Sequence, residues 1–213
     1  MLSTRFDRLH RVVDSPPFDL PLENWSQLYN PTVAFQPDLV LELGRGYGNS
    51  TCVFTEAARD IGCRVVSIGF DSEHAWETRT APRLLPVVGA DWFRPLTVIQ
   101  DDITTIEFGP LVEGSRRTLV YWDAHGSDVA TAVIDRLLPA LPLDNKIIVD
   151  DVSPAREEHV LPGHRAGPLR SEYEGDPRAS GVSFRTRHHL RLRRPVGRAL
   201  RVDRVKRAAA AMH

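Results

Sequence analysis

Two stretches of this sequence concentrate the residue types that chemistry needs. In Val120-Tyr121-Trp122-Asp123-Ala124-His125-Gly126 an apolar run ends on a carboxylate, and a histidine follows two residues later. In Ile148-Val149-Asp150-Asp151-Val152 a second apolar run ends on paired acids. Carboxylates gathered at one place repel one another unless a divalent cation sits between them. Oxygen-only ligands suit Mg2+, Ca2+ or Mn2+ rather than zinc. His125, whose ordinary pKa lies near neutrality, is the candidate general base. Plainer roles stand beside these. Asp150 and Asp151 could cap a turn, Asp123 could bind a ligand alone, and a histidine before glycine is often only a turn residue.

A third stretch, Glu42-Leu43-Gly44-Arg45-Gly46-Tyr47-Gly48-Asn49-Ser50, places glycines at alternate positions after an apolar run. Without a Cβ, such a backbone can turn tightly and approach a ligand closely. The spacing is not the dinucleotide fingerprint, because the position three after Gly46 is Asn49. A glycine-rich turn in some other α/β domain is the competing reading.

These residues need a scaffold, and the patterning supplies one. Short apolar runs predict strands at 38–43, 64–68, 96–100, 118–122 and 146–149. Between them the sequence predicts helices over 49–60, over 73–85 with a break near Pro82, and over 128–138. Alternating strands and helices imply βαβ units, hence an α/β, doubly wound, mostly parallel sheet with helices on both faces. A short helix is expected around Leu22 to Tyr29, a late strand at 181–184, a long loop over 153–178 and a helix over 196–211. Three parts follow: an N-terminal helical cap segment (1–36), an α/β domain (37–184) and a basic tail (185–213).

Between about Pro37 and Ser153 these motifs resemble the class I S-adenosylmethionine-dependent methyltransferases, and the implied architecture is their Rossmann-like fold. The resemblance assigns Glu42, Gly44, Gly46, Gly48 and Ser50 to the methionine end of the cofactor, with Glu42 ordering the loop or reaching the amino group. It places Asp102, in Gln100-Asp101-Asp102-Ile103, at the adenine amino group, while helix N-capping is the alternative for Asp101 and Asp102. An acid for the ribose is expected after the second strand. Gly69 stands there, so the role passes to Asp71 if the strand runs two residues further, or to Glu73. The acids after strands four and five resemble those of metal-dependent O-methyltransferases of the catechol type. They also resemble the cephalosporin hydroxylase-like and macrolide-sugar O-methyltransferases. On that resemblance Asp123, Asp150 and Asp151 hold a divalent cation, Mg2+ first, and Asp123 also touches the cofactor.

The 213-residue chain suffices for one well-buried core. The first residues lack the apolar stretch of a secretory signal, no run reaches the length of a membrane span, and only Cys52 and Cys63 occur. Cytoplasm is therefore the expected compartment. Net charge is −1, yet residues 185–213 carry ten Lys or Arg against Asp203 alone, leaving the body near −10. The tail has neither interleaved aromatics nor a nucleic-acid module, so docking on its own domain or a sister subunit is favoured over nucleic acid. A homo-oligomer is left open. The function implied is metal-assisted O-methylation of a small hydroxylated molecule or sugar. The alternatives are a metal-independent methyltransferase and an inactive methyltransferase-like binding module.

Overall fold

The computed structural model describes residues 2–13, 20, 22–150, 182–185 and 189–192. Helices α1 (Leu2–Val13) and α2 (Leu22–Phe35) precede β1 (Leu39–Leu43), α3 (Asn49–Ile61) and β2 (Arg64–Gly69). A π-helical turn, Trp76–Thr80, runs directly into α4 (Ala81–Val88). A 3-10 turn then leads to β3 (Leu96–Gln100), α5 (Phe108–Val112) and β4 (Arg117–Trp122). Next come α6 (Ser127–Ala132), a second π turn and α7 (Leu138–Ala140), followed by β5 (Asp144–Val149), β6 (Val182–Arg185) and β7 (His189–Leu192).

The strands form one sheet in the order β3-β2-β1-β4-β5-β7-β6. β1 to β5 are parallel, whereas β7 runs antiparallel to both β5 and β6. Strand alternation divides the core in two. Val40, Val65, Leu119 and Ile148 pack with Phe6, Trp25 and Phe54 from α1, α2 and α3. Leu39, Leu41, Leu43 and Val120 pack on the other face with Phe108 and Leu137. Both faces are thus covered, which is why β1 reads as an unbroken apolar run around one acid.

Several local features differ from what the patterning predicts. Pro82 causes no break: it lies where the π turn runs directly into α4, so the missing N–H coincides with a change of helical pitch and the helix continues. α2 continues through Pro31 to Phe35. α1 is an element that the patterning does not single out, although Phe6, Leu9 and Val13 fall on one buried stripe. α1 and α2 share the α3 core, and β7 lies beyond the boundary at 184. The loop expected at 153–178, the helix expected at 196–211 and most of the basic tail lie outside the described residues. No helix among the described residues is long and apolar enough to cross a membrane.

Candidate active site at the carboxyl edge of the sheet

Register places the candidate residues in one row. Leu43 of β1 pairs with Trp122 of β4, and Trp122 with Val149 of β5. The next residue along each strand is therefore Gly44, Asp123 and Asp150. The ladder extends to them, since Asp123 N–H donates to Leu43 O (2.8 Å) and Asp150 N–H to Trp122 O (2.9 Å). β1 and β4 are neighbours separated in sequence, and this is where the sheet's winding reverses. Ligands of open α/β sheets bind beyond such a switch point.

The three loop glycines do different things. Gly44 (φ +97°) brings β1 so close to β4 that a Cβ on it would lie 2.7 Å from the Asp123 carbonyl. A Cβ on Gly48 (φ +92°) would strike the Trp76 ring at 2.4 Å. Only Gly46 (φ +52°) meets nothing within 4 Å, so its face is the open one. Asn49 Oδ1, at the start of α3 beside this loop, is buried and has no hydrogen-bond partner among the described residues. The open glycine face and this orphaned acceptor fit the amino-acid end of a cofactor.

Glu42 is fully buried, and three hydroxyls donate to its carboxylate: Ser50 (2.5 Å), Thr51 (2.6 Å) and Ser67 (2.5 Å). Burial pushes its pKa up, and those three donors and Arg45 pull against that. Ser50, 5% exposed, thus faces Glu42 at the N-terminus of α3. The carboxylate ties β1, β2 and α3 together beneath the loop.

At the ribose position β2 stops at Gly69 and does not extend to Asp71. A Cβ on Gly69 would lie 3.0 Å from Arg45 Cβ and 3.2 Å from its guanidinium carbon. The Arg45 side chain fills that space, donating to Ser67 O (2.9 Å), Ile99 O (3.1 Å) and Gln100 Oε1 (2.7 Å). Burial lowers its pKa, partly opposed by Glu42, Glu77 and Asp71. Asp71 Oδ1 accepts the Ala75 N–H (2.9 Å), and Glu73 is exposed. Glu77, on the π turn, is the acid that reaches Arg45, at 3.9 Å. Asp102 accepts the N–H and hydroxyl of Thr104, both at 2.8 Å, which lower its pKa. It therefore caps a turn and not a helix, because α5 starts only at Phe108.

Asp123 and Asp150 converge. The Tyr121 hydroxyl donates to Asp150 Oδ2 at 3.0 Å and lies 3.5 Å from Asp123 Oδ2. Burial first, then Asp123, Asp150 and Glu42, drive the Tyr121 pKa far above its ordinary value, so the phenol keeps its proton. Two carboxylates from adjacent strands within reach of one hydroxyl are an oxygen-only donor set that fits a hard divalent cation. Asp151, the third expected ligand, lies outside the described residues, and the described residues by themselves hold no group of three metal-ligating side chains. His125 is exposed in the turn between β4 and α6, two residues beyond Asp123. None of the sequence motifs gives Tyr121, Arg45 or Glu77 a predicted role. The alternation that puts Tyr121 on the face of Asp123 was the available signal for the first.

No protein-family model matches the chain, and no curated protein matches it by sequence. Solved structures do match in shape. An O-methyltransferase provisionally assigned from Klebsiella pneumoniae superposes with a TM-score of 0.57 at 18% identity, over 83% of this chain and 79% of that one. TomG, an O-methyltransferase of Streptomyces achromogenes involved in tomaymycin synthesis and solved with S-adenosylmethionine, gives 0.52 at 20% identity. That match covers 70% of this chain and 65% of TomG, less than two thirds of TomG's length. A provisionally assigned caffeoyl-CoA O-methyltransferase of Staphylococcus aureus gives 0.50 at 15% identity, over 71% and 67% of the two chains. The fold is that of the class I methyltransferases. In that methyltransferase fold the row Gly44, Asp123 and Asp150 ends the central strands, and the open Gly46 face lies beside it.

Proposed function

We propose that this protein binds S-adenosylmethionine over the Glu42–Ser50 loop and methylates a hydroxyl oxygen of a small hydroxylated molecule or sugar. Asp123, Asp150 and Asp151 would hold a divalent cation, Mg2+ first. The observation that carries the reading is the convergence of the Asp123 and Asp150 carboxylates on one hydroxyl beside the open glycine face. The cofactor in the TomG complex supports the choice of methyl donor.

The residues divide the work. Gly46 leaves room for the amino-acid end of the donor, while Gly44 and Gly48 hold the loop against Asp123 and Trp76. Glu42 and Ser50 act beneath the loop by ordering it. Glu77, held near Arg45, would receive the ribose hydroxyls in preference to Asp71, whose carboxylate already caps Ala75. Asp102 remains the candidate for the adenine amino group. What a divalent cation supplies at such a site is acidity and fixed position for the acceptor hydroxyl. His125 would take the acceptor's proton as the oxygen–methyl bond forms and the sulfur–methyl bond breaks. Much of the rate would come from holding oxygen and methyl at attack distance. The test is transfer of labelled methyl from S-adenosylmethionine to a panel of phenols and sugars, with Mg2+ and after exhaustive chelation. Transfer that survives chelation contradicts the metal assignment. Absence of both transfer and cofactor binding contradicts the whole reading.

One observation favours a second reading. Arg45 fills the space above Gly69 where a ribose acid would stand, as a methyltransferase-like module that no longer binds the cofactor would allow. A cofactor titration separates the two.

A further inference from the structure

Arg45 carries a full charge into a buried place, where an ion needs fixed partners. Its side chain is 0% exposed, and three acceptors fix the guanidinium: Ser67 O, Ile99 O and Gln100 Oε1. Gln100 Nε2 in turn donates to Asp71 O (2.7 Å), at the head of the segment that leads into the π turn. That turn is fastened to the glycine loop at both ends. The Trp76 ring backs Gly48, and the Thr80 hydroxyl donates to Tyr47 O at 2.9 Å. Trp76 and Thr80 are each 3% exposed, whereas the Glu77 side chain between them is 42% exposed. Arg45 Nη2 links this acid to the end of β2. It lies 3.3 Å from where a Gly69 Cβ would stand and 3.9 Å from Glu77 Oε1. A carboxylate is thereby brought from the π turn close to the spot that an acid at position 69 would reach. A glutamate on an exposed turn otherwise samples many rotamers. A fixed guanidinium nearby narrows that choice by charge attraction.

We infer that Arg45 is a positioning residue for ribose recognition: its buried guanidinium draws the Glu77 carboxylate toward the end of β2, and the pair replaces an acid on that strand in reading the ribose hydroxyls. The inference rests on the cofactor reading made above. A hydroxyl donating to a carboxylate makes a charge-assisted bond, and its loss typically weakens binding about 10- to 100-fold.

The experiment titrates the full chain, Glu77→Leu and Arg45→Met calorimetrically with S-adenosylhomocysteine and with its 2'-deoxyribose analogue. The parent should prefer the ribose form about 10-fold or more. Both variants should lose that preference by weakening the ribose form, with little change in affinity for the deoxy analogue. A merely structural role for Arg45 would weaken both ligands equally, and that outcome overturns the proposal. So does a preference that survives Glu77→Leu, or a parent that binds the two ligands alike, and in either case the cofactor reading stands. If the folded parent binds neither ligand, the cofactor reading fails and the ribose role with it. Should Arg45→Met not fold, Glu77→Gln carries the test. The amide keeps an accepting oxygen but no charge for Arg45 to attract, so loss of the preference supports the proposal and its retention overturns it.

Discussion

Glu42 illustrates how a residue picked out by motif acquires a role through its neighbours. Its carboxylate accepts three hydroxyl donors in a fully buried place. Glu42→Gln replaces one accepting oxygen with a donor facing hydroxyls that also need to donate. The expected loss is about 1–3 kcal/mol, read as a lower midpoint in urea with an unchanged slope. Gly46 is the complementary case, because nothing opposes a side chain there except a ligand. Gly46→Val puts a β-branched residue at φ +52° and projects it into the open face. Affinity for S-adenosylhomocysteine should fall at least tenfold in a titration, beyond any change in melting temperature. Alternating glycines were legible in the sequence, but their separate tasks were not. Which glycine meets Asp123, which meets Trp76 and which meets open space depends on contacts between distant segments.

At the scale of elements, the five parallel strands were legible because each is an apolar run bounded by turn residues. The helices were less so where proline carried the signal. The helix expected around Leu22 to Tyr29 continues through Pro31 to Phe35, and Pro82, where a break is expected, lies in the first turn of α4. α1 was hidden by its Arg and Asp content, although its apolar stripe recurs at helical spacing. The convergence of Asp123 with Asp150 follows from strand order, but the cover over Gly69 does not, because Arg45 reaches it from another strand's loop. The close approach of β1 and β4 is testable. Gly44→Ala should cost about 3 kcal/mol, combining a strained φ of +97° with a Cβ 2.7 Å from the Asp123 carbonyl. Gly46→Ala, with only the backbone penalty, should cost about 1–2 kcal/mol. Paired denaturation curves check the difference, and equal losses would show that the two strand ends are further apart.

Across the whole molecule, α1, α2 and α3 are joined by a polar cluster over the core. Arg5 pairs with Glu56 and Asp60, Tyr29 donates to Asp60, and the Trp92 indole donates to Glu56. Burial raises the Asp60 pKa, but Tyr29 and Arg5 outweigh it, and the net shift is downward. At Asp38 burial again raises the pKa, but Ser115 and the backbone N–H groups of Arg117 and Arg116 outweigh it, and the net shift is downward. Lowered carboxylates stabilise the fold above the unfolded pKa, near 4, and lose that contribution as pH falls through their folded values. Stability should thus hold from neutrality to about pH 5 and drop below about pH 4. Arg5→Ala should be less stable than the parent at pH 7, with the difference shrinking toward pH 3, as urea midpoints would show. Whether the open face over Gly46 holds the cofactor is read by calorimetric titration of the purified chain with S-adenosylhomocysteine. Saturable binding at one site per chain is expected, with a rise in melting temperature, and both are lost in Gly46→Val. A folded protein that gives no heat of binding and no thermal stabilisation at millimolar ligand does not bind the cofactor, and the proposed function fails.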